Sequence, residues 1–157
     1  MGEFTGCLLA AGGNVADSRM VNLRGQFALV ILVEGSADSM TSLRQAAEQA
    51  GARMDLQVTV TEQQPAARPV AGVPYKLKTY SLDQPGIVHQ VSQLLCRYGV
   101  NIEELNTRLT SAPFDGTSLF TMEMRLTIPA AVPIKNLRTQ LYELCATLNC
   151  DADLEPA

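Results

Sequence analysis

The stretch Asp83-Gln84-Pro85-Gly86-Ile87-Val88 sets a carboxylate and a turn dipeptide at the start of a helically spaced apolar run. Gly86 permits a tight turn and close approach of a ligand to the backbone. If Ile87 opens a helix, the amides of Gly86, Ile87 and Val88 are unpaired donors at its positive end, a setting that attracts a carboxylate. Asp83 can cap that helix or accept from an amine. Asn101, which starts the next strand, is expected beside the same end of the sheet, and its side-chain amide both donates and accepts. Together these groups suit the ammonium and carboxylate of a free amino acid. The same residues also satisfy plain structural chemistry: Asp-x-Pro-Gly caps helices and Asn after Gly makes turns.

Other reactive side chains are less constrained by pattern. His89, the single histidine, lies beside Gln90, Ser92 and Gln93 on the helix side away from Val91 and Leu94, and reads as solvated. Glu103 and Glu104 are adjacent, so on a regular strand they point to opposite faces and cannot work as an acid–base pair. Asp151, Asp153 and Glu155 alternate and share a face, as a solvated edge strand or as a weak cation site. Cys7, Cys96, Cys145 and Cys150 form no CxxC pair, and none lies close to His89, so zinc spacing is absent. They read as reduced core thiols of a cytoplasmic protein. Phe4-Thr5-Gly6-Cys7 is preceded by too little apolar sequence to be an export signal. No GxSxG, P-loop, HExxH or GxGxxG pattern occurs. No catalytic residue, metal or cofactor is expected, and the chain reads as a non-enzyme.

The elements that must position these groups follow from periodicity. The chain has 157 residues, 46% apolar, with a formal net charge of −4 and no Lys/Arg cluster. Direct nucleic-acid binding and docking on anionic membrane are therefore disfavoured. Residues 75–82 read as a strand and 83–86 as a turn. Apolar residues at 87, 88, 91, 94, 95 and 98 give a helix ended by Gly99. Residues 101–110 and 118–128 read as strands, the second with Phe120, Met122, Met124, Leu126 and Ile128 on one face. Pro133 suits a first helical position, and Ile134, Leu137, Leu141, Leu144 and Leu148 mark a helix face. Residues 150–154 supply a last strand. The order β-α-β-β-α-β gives a four-stranded antiparallel sheet with both helices on one face, the ferredoxin-like arrangement.

The first half repeats the second. Gly12, Asn14, Val15 and Asp17 fall on Gly99, Asn101, Ile102 and Glu104 at an offset of 87. Phe27, Leu29, Ile31 and Val33 fall on Phe120, Met122, Met124 and Leu126 at an offset of 93, and Leu43 falls on Leu137 at 94. The extra residues lie in SAPFDG (111–116), where a duplicated domain tolerates insertion. Residues 1–60 thus form one domain, the Pro-rich 61–74 a linker and 75–157 a second domain. Residues 27–33 are apolar at every position, which suggests that both faces of that strand are covered, one by its own helices and one by a neighbouring domain or a partner subunit; the alternative is a few exposed valines. At the offset of 87, Met1 falls on Val88. The first half is expected to start inside its first helix, without a first strand or loop, leaving a hole in the centre of its sheet. A truncated product, a segment of another molecule or of the linker filling the gap, and a modified fold are the three explanations.

The motif DQPGIV between a strand and a helix, followed by Gly99-Val100-Asn101-Ile102, resembles the ACT domain, a small regulatory module of β-α-β-β-α-β order. The tandem pair resembles the glycine cleavage system transcriptional repressor family, built from two such domains. The resemblance covers most of residues 1–60 and 75–155. It implies an α+β fold of two ferredoxin-like ACT repeats, the first lacking its first strand. It implies a small amino-acid ligand at the loop, often at an interface between domains. By resemblance, Asp83, Gly86, Ile87, Val88 and Asn101 carry the site, with Asn14 the counterpart of Asn101. It further implies a homo-oligomer whose output, in an acidic chain without a helix-turn-helix signature, passes through a regulatory partner protein. The rival readings are a ligand-free interaction module and a fragment of an enzyme whose catalytic domain lies elsewhere.

Overall fold

A computed structural model of the chain describes residues 1–63, 71–111 and 118–157. The chain divides into two compact units, Met1–Pro65 and Ala66–Ala157. Most of SAPFDG and half of the expected linker lie outside the described residues.

The second unit is built from β3 (Gly72–Leu82), α3 (Ile87–Arg97), β4 (Asn101–Ser111), β5 (Ser118–Pro129), α4 (Ile134–Thr147) and β6 (Cys150–Pro156). Its sheet order is β4-β5-β3-β6, so β3 is central, between β5 and β6. β3 begins three residues before the expected 75 because Gly72, Val73 and Pro74 already pair with Pro129, Ile128 and Thr127. A side chain at Gly72 would run into the Ile128 carbonyl, which reserves this position for glycine. Pro133 stands at the N-cap of α4 rather than inside it. Ile87, Val91, Leu94 and Leu95 of α3 and Leu137, Leu141 and Cys145 of α4 pack on Leu77, Met122, Met124, Leu126, Ile128 and Leu154. Each such fully buried aliphatic side chain contributes about 1.5–3 kcal/mol. Thr79, 0% exposed among them, leaves its Oγ1 without a partner among the described residues.

The opposite sheet face is charged. Lys76 lies between Arg125 and Glu155, Lys78 between Glu123 and Asp153, and Tyr80 between Thr121 and Asp151. Asp151, Asp153 and Glu155 thus share a face, as expected, but each has Tyr80, Lys78 or Lys76 directly across from it. No group of metal-ligating side chains exists among the described residues.

The first unit contains α1 (Gly2–Ala10), β1 (Asn14–Leu23), β2 (Gln26–Glu34), a 3-10 turn (Ala37–Ser39) and α2 (Met40–Arg53). Four details repeat between units at the expected offsets. Both first helices end in a Schellman arrangement. Gly12 and Gly99 have φ +88 and +66, with Gly13 N–H on Leu8 O and Val100 N–H on Leu95 O. Both following strands carry a bulge, at Val15/Asp17 and at Ile102/Glu104. Both second helices give way to a left-handed residue, Asp55 and Asn149. Arg44 donates to the Val60 carbonyl as Arg138 donates to that of Leu154.

What does not repeat is the central strand. Among the described residues β2 pairs only with β1, whereas its counterpart β5 pairs with both β4 and β3. Residues 56–60, the counterpart of β6, form no ladder. Their side chains still alternate, with Leu56, Val58 and Val60 packed on the cluster of Phe4, Leu8, Ala47 and Ala50. The expectation of a first half without its first strand therefore describes what is present. Of the two covers expected over residues 27–33, the one by the unit's own helices is present. Leu29, Ile31 and Val33 are half-buried, with Ile31 and Val33 packed on the helix cluster, while Val30 is 73% and Leu32 43% exposed.

Candidate functional site

The loop between β3 and α3 is set by its two ends. Asp83 N–H donates to the Ser118 carbonyl at 3.1 Å, closing the sheet. Gly86 stands at the N-cap of α3 with φ +97, a left-handed conformation costly for any other residue. Gln90 N–H returns to the Gly86 carbonyl at 2.9 Å, starting the helix. Ile87 is buried and Val88 packs at the edge of the core, so the loop is anchored from below while Asp83 and Gly86 remain exposed. Among the described residues no side chain caps α3, so Asp83 does not spend its carboxylate on the helix and the first-turn amides stay open. Of the two roles open to Asp83 in the sequence, capping is not the one it takes.

Gln84 is the residue that sequence reasoning missed. Its Nε2 donates to the carbonyl of Leu148, the C-cap of α4, and ties the loop to the second helix. Nothing in local sequence signals this contact, because it spans 64 positions of chain.

Asn101 does not join this loop. β3 and β4 both run antiparallel to β5, hence parallel to each other. Asn101 is level with Thr127 and Pro74, whereas the loop follows Leu82, level with Leu119. Pro74 and Leu82 lie eight residue steps apart along β3, roughly 26 Å at the rise of a β-strand. The expectation that Asn101 lies beside the loop is thus corrected: a right-handed β-α-β crossover returns the chain to the starting end of the sheet. At that end Asn101 Nδ2 donates to Glu103 Oε1 at 2.7 Å, and Thr127 Oγ1 donates to the same oxygen at 2.7 Å. Asn14 occupies the equivalent exposed place in the first unit, opposite Glu34, with Ala16 where the second unit has Glu103.

Glu103 overturns a second expectation. The bulge between Ile102 and Glu104 breaks the alternation of β4. Glu103 therefore reaches Thr127 while Glu104 approaches Arg125 at 3.7 Å, and both carboxylates lie on the outer face. They do not form an acid–base pair. The Thr127 hydroxyl, and then Asn101 and Arg125, hold the Glu103 carboxyl below its usual value against a small opposing effect of desolvation. Glu104 accepts from Asn106 Nδ2 at 2.8 Å.

His89 is exposed, as its helix position implies. Of the thiols expected in the core, Cys145 and Cys150 are buried, Cys7 is half-buried and Cys96 is exposed on the outer side of α3. Burial, and then the neighbouring Cys150, push the Cys145 thiol up to about 12. Two shallow concavities lie on the second unit, one over Lys76, Lys78, Glu104, Glu123 and Arg125, the other over Tyr80, Leu82, Leu119, Asn149 and Asp151. Neither is lined by Asp83, Gly86 or Asn101. Among the described residues no helix is long and apolar enough to cross a membrane.

Comparison with known proteins gives a domain match and several relatives. The ACT domain model matches residues 1–61, the half without the loop. The glycine cleavage system transcriptional repressor of Escherichia coli is 23% identical over 145 residues, covering 92% of this chain and 76% of that protein. A solved structure of an unknown protein from Galdieria sulphuraria has 31% identity and a TM-score of 0.84, covering 99% of this chain and 89% of that one. A crystal structure of a candidate glycine cleavage system transcriptional repressor shares the fold at a TM-score of 0.70 and 19% identity, over 98% of this chain and 87% of that one. With its duplicated ferredoxin-like halves, this chain carries an ACT domain match over residues 1–61 and resembles the glycine cleavage system transcriptional repressors.

Proposed function

We propose that the chain is a cytoplasmic, amino-acid-sensing regulator that acts through a partner protein. The observation that carries this reading is the loop at Gly86. Open amides of α3 face outward there for a carboxylate, and the exposed, uncommitted Asp83 stands beside them for an ammonium. Because Asn101 lies at the other end of the sheet, a complete site takes its loop from one copy and Asn101 from a second. Asn14 offers the same amide in the first unit. Ligand binding then favours one assembly only by its difference in affinity between assemblies. The net charge of −4 and the absence of a basic cluster favour output through another protein over direct contact with DNA.

The name of the relatives makes glycine the first ligand to test. A panel of amino acids is added to the full chain in a thermal-shift assay. At ~100 times its dissociation constant a ligand adds roughly 2.7 kcal/mol. The absence of a shift from every amino acid at millimolar concentration would sink the sensor reading. It would leave the interaction module, which the exposed Val21, Val30 and Leu32 of the first unit favour.

A further inference from the structure

We propose that the concavity at the loop end of the second unit's outer sheet face binds a small amine carried on an apolar body. This inference does not rest on the reading of the Gly86 loop, since it uses none of the residues assigned there. The concavity holds about 320 Å3 and is lined by Tyr80, Ser81, Leu82, Leu119, Asn149 and Asp151 among others. That volume is at the small end of ligand-sized clefts. Its make-up follows from strand register. Tyr80 of β3 lies between Thr121 of β5 and Asp151 of β6. Two residues on, Leu82 pairs with Leu119, and Leu119 with Thr110 of β4. Alternation puts Tyr80 and Leu82 on the same face as Lys76 and Lys78, so one end of that face is charged and the other is aromatic and aliphatic. Tyr80, Leu82 and Leu119 are all exposed.

Asp151 decides the charge of the ligand. Along β6, Glu155 has Lys76 directly across and Asp153 has Lys78, whereas Asp151 has Tyr80. Lys78, on the diagonal from Asp151, already stands between Asp153 and Glu123. No Lys or Arg lines the concavity, and Asp151 makes no ion pair among the described residues. Side chains directly opposite on paired strands start roughly 5 Å apart. One ammonium can therefore meet both the Asp151 carboxylate and the Tyr80 ring. Leu82 and Leu119 then take the apolar body. Ser81 Oγ, buried and without a partner among the described residues, adds a hydrogen-bonding group to the wall. Other ligand classes fit less well. An anion would meet the Asp151 charge with no cation beside it. A plain hydrocarbon would strip water from that carboxylate and leave it unpaired. A hard metal ion takes about six to eight oxygens, and Asp151 is the one carboxylate in the lining.

The test titrates phenethylamine into the isotope-labelled full chain and follows backbone amide shifts by NMR. Saturable shifts are expected at Leu82, Thr110, Leu119, Asn149 and Asp151. Phenylacetate, with the same ring and the opposite charge, and methylamine, with the same charge and no body, should each bind at least roughly tenfold more weakly. Asp151→Asn, at an exposed position, should weaken phenethylamine at least roughly tenfold. Asp153→Asn, on the same face but opposite Lys78, should leave it within about twofold. Absence of saturable shifts at millimolar phenethylamine overturns the proposal. Phenylacetate binding as tightly as phenethylamine overturns it in favour of a merely apolar patch. Equal losses in Asp151→Asn and Asp153→Asn overturn it in favour of general attraction to an acidic sheet. The two ligand controls need no variant, so the proposal stands or falls even if a substitution disturbs folding.

Discussion

Gly86 and Gly99 offer a matched pair of perturbations in one unit. Both are left-handed, with φ +97 and +66. A Cβ added at Gly99 would meet nothing within 4 Å, and one at Gly86 would meet only the flexible Gln90 Nε2 at 3.4 Å. Neither alanine therefore clashes, and the cost is that of the backbone alone. A left-handed L-residue costs roughly 1–2 kcal/mol. Reduced freedom of the unfolded chain offsets about 0.4–1 kcal/mol of this. Gly86→Ala and Gly99→Ala should each lose about 1 kcal/mol net, a fall of roughly 4–8 °C in Tm for a unit of this size. Denaturant titration should show lower midpoints with unchanged slopes. The ligand response should separate the pair. Gly86→Ala disturbs the amides offered to a carboxylate and should abolish the thermal shift with the active amino acid, whereas Gly99→Ala, at the far end of α3, should keep it. A neutral Gly86→Ala would refute the left-handed loop. A full ligand shift in Gly86→Ala would remove the loop from the site. Loss of the shift in Gly99→Ala as well would mean that stability, not the loop, governs the response.

Thr79→Val removes a buried hydroxyl with no partner among the described residues and keeps the shape, so it should stabilise the chain by about 1 kcal/mol, read by denaturant midpoint. A thiol reagent should label the exposed Cys96 first, with Cys145 and Cys150 reacting only on unfolding. Because the folded-state pKa of Cys145 is raised from 9.0 to about 12, its contribution is complete below pH 9 and is lost as pH climbs toward 12, which a pH series of melts will show. The Glu103 carboxyl is held below 4.5, so its contribution is present above that pH and fades as pH falls through the lowered value. Thr127→Val should move its NMR titration midpoint back up toward the usual one.

Much of this architecture was legible in the residues because local chemistry fixed it. The alternation of Met122, Met124, Leu126 and Ile128 announced a half-buried strand, and all four are buried. Gly12 and Gly99 announced helix ends and adopt left-handed backbone there. The repeat offsets foretold the missing central strand because hydrophobic spacing survives duplication. What escaped was whatever depends on distant partners. Asn101 was placed beside the loop because they are close in sequence, but the crossover sends them to opposite ends of the sheet. Glu103 and Glu104 share a face because of a bulge, which leaves no signature in two adjacent glutamates. Gln84 carries no local signal because its partner, Leu148, stands at the end of a different helix.

The uncovered face of β2 also bears on how the protein must be handled. Residues 27–33 hold seven consecutive apolar side chains with no proline and no charge, on a strand whose second edge is unpaired among the described residues. Such a segment can template cross-chain pairing into amyloid-like ribbons. Its sentries are Gln26 and Glu34 at the two ends, with Arg19 opposite Val30 on the neighbouring strand. Storage, refolding and fusion of the chain therefore turn on one short ribbon. A single charge at Val30, which points outward and supports no core, is the economical way to keep copies of this molecule apart.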